Sequence, residues 1–213
     1  MNGLGDVQLA QGDLVGARKT QERALAMRQK LGEKPSTAES QMALARVSLE
    51  DGRAAEAESA AREAAKEFHG ENVPDLEAAA YALLARALSQ QGKLQESETA
   101  AKLAVSYSAK SQEPMIRISV AITAARVRNA SESELVSRKQ RASQVIHNLQ
   151  ALAAQAKKSG FLGLEFEARL AEAEVTLDSG KTKDGVAQLA SLAEEAHARG
   201  FRLIAKKALA VRN

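Results

Sequence analysis

No cysteine or tryptophan occurs in the chain, and only three prolines and 3% aromatics are found among its 213 residues. Without cysteine there are no disulfides and no thiolate-ligated metal sites. Few aromatics and no β-branched runs leave little to build a sheet core, and the excess of Ala, Leu, Glu, Lys, Arg and Gln predicts an all-α fold. No apolar stretch reaches about 18 residues, and the N-terminus lacks the basic and apolar regions of a signal peptide, so a cytoplasmic location is expected and no membrane contact. Charge of one sign is lacking too: 30 Lys and Arg stand against 27 Asp and Glu, interspersed, so no nucleic acid partner is expected.

Catalytic signatures are also missing. There is no Gly-rich phosphate loop after a strand, no nucleophile turn and no His-Glu metal motif. His69, His147 and His197 are separated, with no ligand spacing between any two. The expectation is a non-enzyme without cofactor or metal.

What is present is a repeat. Gly12, Gly52 and Gly92 recur at a lag of forty residues, as do Leu4, Leu44 and Leu84, the small residues Gly5, Ala45, Ala85 and Ala125, and Ala24, Ala64 and Ala104. Ser36 and Glu39 have capping-box spacing, which predicts a helix from about 36 to 50. A turn at Asp51-Gly52-Arg53 follows, then a second helix to Phe68, ended by a left-handed Gly70. Applied along the chain, this gives hairpin units at about 1–34, 35–73 and 74–113. Pro35, Pro74 and Pro114 fall between units, where proline is tolerated. A fourth, irregular unit at 114–160 has its turn at 129–132 and a long second helix running to about Lys158, preceded by a capping box of Ser131 and Glu134. Gly160-Phe161 and Gly200-Phe201 restore the forty-residue lag, giving a fifth unit at 161–200 and a capping helix at 201–213 with Arg202, Lys206, Lys207 and Arg212 turned outward.

Leu4-Gly5, Gly12, Ala17 and Ala24 in the first unit, Leu44-Ala45, Gly52, Ala57 and Ala64 in the second, and Leu84-Ala85, Gly92, Ser97 and Ala104 in the third stand in the order of the tetratricopeptide repeat. The chain resembles that family, and its forty-residue period is similar to the longer repeats of kinesin-light-chain-like members. Tyr81 stands where the family often has an aromatic. Other family aromatics are replaced by Gln8, Ser48 and Leu88 and by Gln21, Ala61 and Ala101, which implies thin, Ala-rich interfaces. The resemblance implies a right-handed α-solenoid of about five antiparallel helical hairpins plus the capping helix. Because Met1 falls inside the first helix, a larger parent protein is expected.

The resemblance also implies that first helices line a concave surface on which protein or peptide partners bind. Arg46, Arg86 and Arg126 repeat at the same lag, two residues after the column of Leu44, Leu84 and Ala124. That puts them about 200° round the helix from it, facing the groove. Their expected neighbours are Glu39, Met42, Leu49 and Glu50, then Gln90, then Ile122 and Asn129, with Met42, Leu49 and Ile122 as apolar contacts. Arginine grips carboxylates bidentately, so an acidic partner is expected. The competing reading is that the arginines are solvated or ion-paired: Glu50 lies four residues beyond Arg46, and the flanking equivalents Asp6 and Glu174 are acidic. Arg138, Lys139 and Arg141 form a further basic group on the long helix. The expected function is a non-catalytic protein-interaction scaffold with a peptide or helix laid along its groove. The alternatives are a regulatory segment of a multidomain bacterial signalling protein (kinase or transcriptional regulator) and a self-association module. Oligomeric state stays open.

Overall fold

A computed structural model describes residues 3–32, 34–131 and 135–211, with nothing said of the side chains of residue 131 and residues 135–140. The described residues form eleven helices and no strand: α1 (Gly3–Ala10), α2 (Leu14–Leu31), α3 (Lys34–Glu50), α4 (Ala54–Gly70), α5 (Pro74–Gln90), α6 (Leu94–Ser108), α7 (Pro114–Ser131), α8 (Leu135–Lys158), α9 (Leu162–Asp178), α10 (Thr182–Ala198) and α11 (Arg202–Val211). Successive helices pack as antiparallel hairpins and the hairpins stack, which is the expected α-solenoid.

The glycine column works as turns. Gly12, Gly52 and Gly92 have φ of 78°, 78° and 73°, the left-handed region where a Cβ costs about 1–2 kcal/mol, and Gly180 does the same at 91°. Other boundaries differ from expectation. Helix α3 starts at Lys34 and takes Pro35 into its first turn, since proline needs no amide partner there. Gly70 is still helical, and the left-handed residue is Asn72 at φ 54°, a residue type that tolerates this region. Residues 129–131 of the expected turn are helical, because α7 continues through Ser131; residue 132 and Glu134 of the expected capping box lie outside the described residues. Helix α8, with 24 residues, is the longest.

The small-residue columns let helices approach. Ala57, Ala61, Ala64, Ala85 and Ala168 are fully buried, so helix backbones meet with little side chain between them. Large side chains then act as plugs: Phe68 is sealed among Ala38, Met42, Ala64, Ala65 and Ala80, and Phe166 meets Phe201 edge-on at 5.3 Å between ring centres. Tyr81 stacks on Tyr107 at 5.7 Å. The first hairpin is poorer. Only Gly5, Ala17 and Gln21 are buried in it, and Leu4 of the leucine column is exposed where Leu84 is buried.

The first helices of the hairpins form the inner layer. Each of α1, α3, α5, α7, α9 and α11 touches the next, and α11 also touches α1, so the superhelix returns to its own beginning. Six helices about 10 Å apart in a ring have axes about 10 Å from the centre, leaving a channel only about 10 Å wide. The concave face is therefore a narrow central volume rather than an open trough.

Candidate functional site

Ring closure decides which residues face the centre. On an inner helix flanked on both sides, only a strip of roughly one residue per turn is left toward the axis. Arg86 and Arg126 occupy that strip and line a cavity of about 540 Å³, together with Ser89, Gln90, Asn129, Glu174, Asp178 and Lys207. The cavity sits at the C-terminal ends of four inner helices, reaching Gln90 of α5, Ala130 of α7, Asp178 of α9 and Val211 of α11. Arg46 lies elsewhere, in an adjoining cavity of about 220 Å³ with Asp6, Leu9, Phe201 and Leu203, where α1 meets α11.

Two of the three expected apolar contacts, Met42 and Leu49, are corrected. Met42, Leu49 and Ile122 lie 40–60° from the arginines on their helices, far enough to turn into the neighbouring interface. They are 7%, 1% and 2% exposed and belong to the core, Met42 in the cluster of Phe68, Leu49 in that of Leu83 and Ile122 in that of Leu149, and Ile122 also lines a small pocket with Arg86, Arg126 and Lys207. Glu39 is half-buried, about three turns before Glu50 on α3. Of the expected set, the large cavity collects Arg86, Gln90, Arg126 and Asn129.

The arginines arrive already partnered. Arg86 Nη2 donates to Glu50 Oε1 at 2.7 Å across α3 and α5, and Lys207 of α11 reaches the other oxygen of the same carboxylate. Arg126 lies 3.4 Å from Glu174 and donates to the carbonyl of Glu167 at 3.2 Å. Arg46 meets Asp6 at 3.3 Å in a largely exposed pair, worth little. Asn129 donates to Asp178 at 2.7 Å. The column is thus an inter-helix ion-pair network, the second of the two readings that its sequence left open.

Lys207 is the residue that sequence reasoning misplaces. The repeat pattern turns it outward, but its ammonium turns in to Glu50. The available signal is its place three residues after the buried Ile204, on the inward side of α11. Arg138 and Lys139 of the basic group lie among residues whose side chains are not described.

Burial and charge divide the carboxylates. Burial pushes Glu50 up, yet Arg86 and Lys207 together hold it below the ordinary carboxylate range. Glu174 stays above that range: burial raises it, Arg126 only partly offsets this, and the charge of Asp178 adds to the rise. Lys207 is pulled below its usual range by burial, against the help of Glu50. Arg86 is held above its usual range by Glu50 and Glu167 in spite of burial. Among the described residues no group of three His, Asp or Glu has the arrangement of a metal site, and no helix is long and apolar enough to cross a membrane.

Stacked helical hairpins with small-residue interfaces, a glycine at each turn and an inner layer of first helices define a repeat scaffold of the solenoid class. Residues 1–66 match the sequence model of the tetratricopeptide repeat. Beyond residue 66 the chain continues the same stacked-hairpin architecture, so its likeness to that family is one of sequence over the first 66 residues and of fold beyond them. No curated protein matches it in sequence. Among solved structures, it is similar to a Rap protein complexed with competence and sporulation factor, with a TM-score of 0.71 and 13% identity over 95% of this chain. The chain spans 52% of that Rap chain. It is also similar to the nearly identical TPR-like repeats of a putative kinesin light chain from Podosopora anserina, with a TM-score of 0.55 and 19% identity over 93% of both chains. A single-substitution form of that kinesin light chain gives 0.56 and 18% over 94% of both chains. At these identities the likeness is one of fold.

Proposed function

We propose that the chain is a non-catalytic interaction scaffold that receives a short extended segment of a protein partner in its central cavity. The observation that carries this reading is the cavity itself, about 540 Å³ with polar groups converging from four helices. That volume falls within the range of ligand pockets, about 300–1,000 Å³, and suits a few residues of extended chain. A helix about 10 Å across would fill the whole channel and find it occupied by side chains, so the extended form is favoured over the helix. The family likeness and the Rap complex support a protein or peptide partner. An acidic partner is the finer reading of the arginine column. To reach Arg86 or Arg126 its carboxylate must displace Glu50 or Glu174, which makes the arginines a weaker lure than their number indicates.

Peptides selected by display against the full chain test the reading. They are expected to lose at least about tenfold in affinity for Ala130→Trp and Ala210→Trp, which fill the cavity from exposed positions on two different helices. Peptides that bind both variants as tightly as the wild type would refute it.

A further inference from the structure

The first hairpin exposes large apolar side chains and has little core of its own. Leu4, Val7, Val15, Met27 and Leu31 of α1 and α2 are five of the ten large apolar side chains exposed among the described residues. The same two helices bury only Gly5, Ala17 and Gln21, and the Oε1 atom of Gln21 has no hydrogen-bond partner. Apolar side chains concentrated on one surface in this way mark a place where another protein surface docks.

The forty-residue register tells which way these side chains point. Leu4, Val7 and Thr20 correspond to Leu84, Ala87 and Ala100 in the third hairpin, which are buried in one cluster with Ala45 and Leu49 of α3 and Ala57 and Ala61 of α4. Those partners belong to the preceding hairpin, so this register is the backward stacking face. Met27 corresponds to Glu67, which shares a cavity with Gln29 and Gly32 at the end of α2, and Leu31 follows Met27 by one turn. Leu4, Val7, Met27 and Leu31 therefore share the backward face of the first hairpin, where they are between 53% and 70% exposed. Val15 does not belong to it, since its equivalents Ala55 and Gln95 are exposed in their own hairpins.

We propose that this face is a homodimer interface, at which two copies of the chain meet about a two-fold axis with α1 and α2 of each packed on those of the other. The face lies outside the central cavity, so the contact stands apart from the peptide-binding reading. Continuity with the stacking inside the chain names the occupant: there α3 and α4 together cover α5, so a backward face is met by two helices. The opposite edge offers no such pair. Among the described residues α11 is followed by no second helix, and its exposed large apolar side chains are Leu209 and Val211. A head-to-tail contact would leave Met27 and Leu31 uncovered, whereas a second first hairpin covers them. The face is about 27 Å long on α2 and about 12 Å on α1, at about 10 Å of width per helix. That is roughly 400 Å² in projection per copy, and with side-chain relief the pair buries about 1,000 Å², the lower end for a specific interface. Thr20, the polar member of the face, already donates to Gln8 Oε1 at 2.7 Å, so docking strands no hydroxyl.

Sedimentation equilibrium of the full chain, from about 1 to about 300 µM, tests the proposal. The wild type is expected to pass from a 22.6 kDa monomer to a dimer with a Kd on the order of 10–100 µM, as suits an interface of this size. Leu4→Glu/Met27→Glu, at exposed positions on two different helices, is expected to weaken the dimer at least about tenfold. Val15→Glu, on the solvent side of the same hairpin, is expected to change it less than about twofold. A wild type that stays monomeric throughout overturns the inference. So does growth past the dimer, which marks head-to-tail stacking, and so does a dimer that Leu4→Glu/Met27→Glu retains, which places the contact elsewhere on the chain.

Discussion

Replacing Glu50 by glutamine removes the charge that holds α3, α5 and α11 together where the superhelix meets its own beginning. Its carboxylate is 8% exposed and its two cationic partners are 27% and 32% exposed. Breaking a fully buried pair costs about 3–5 kcal/mol, chiefly because the orphaned charge stays buried. Here both cations can turn partly to water, and Lys207 is already below its usual range from burial, so the bottom of that range or less applies, about 2 kcal/mol. For a chain of this length that corresponds to a fall in Tm of about 4–8 °C. Repeat arrays unfold segment by segment when an interface weakens, so the loss should concentrate at one end. Amide exchange should quicken in Arg202–Val211 far more than in Leu94–Ser108.

The pH dependence carries a sign. Glu50 is depressed in the fold, so its contribution is fully present above the ordinary value of 4.5 and is lost as pH falls through its folded value. Glu58 also titrates at low pH, held at about 2 chiefly by the hydrogen bond from Lys93, but it does so in both proteins and cancels in the difference. The gap between wild type and Glu50→Gln, from urea denaturation, should be widest near pH 7 and close as the medium becomes acid. A gap below about 0.5 kcal/mol at pH 7, or one that stays constant down to pH 3, would refute the reasoning.

Glu174 runs the other way. Its folded value is raised, so its charging subtracts stability as pH rises above 4.5, and Glu174→Gln is expected to be neutral or up to about 1 kcal/mol stabilising at pH 7 and without effect near pH 3, by denaturation at the two pH values. Gly92→Ala should cost about 1 kcal/mol because φ is 73°, whereas Gly70→Ala, at a helical φ with open space around it, should be neutral or slightly stabilising. Phe68→Ala should cost about 3–5 kcal/mol in the same assay, since Phe68 is fully buried among alanines that cannot collapse into the void.

Local chemistry made the repeat legible. A glycine forty residues from the next, each with small residues at fixed offsets, specifies turns and close-packed helices without knowledge of what lies across the fold, and the positive φ at Gly12, Gly52 and Gly92 follows from that pattern alone. The arginine column was legible as a column for the same reason. Its partners were only half so. The acidic residues at Asp6 and Glu174 stood at the arginine register in the flanking units, and both do pair with arginines, but Glu50 looked like the i,i+4 neighbour of Arg46 and instead serves Arg86 and Lys207. The Lys207 half of that choice depends on α11 coming round to α3, a contact between elements far apart in the chain that no local periodicity encodes. The burial of Met42, Leu49 and Ile122 has the same origin, because the width of the inward strip is set by how tightly the superhelix curls.

Tight curling also changes what the arginine column does. In an open trough each inner arginine would be a separate donor and affinity for acidic partners would grow with their number. In a ring the same side chains reach carboxylates of neighbouring helices first, so the column stabilises the curl. The fourth unit is where the forty-residue register slips, since α7 runs on through Ser131 and α8 extends to 24 residues. Beyond the slip an acidic residue, Glu174, replaces arginine at the inward position. The irregular unit therefore does more than interrupt the repeat: it ends the arginine column, and the next inward cation is Lys207 of α11.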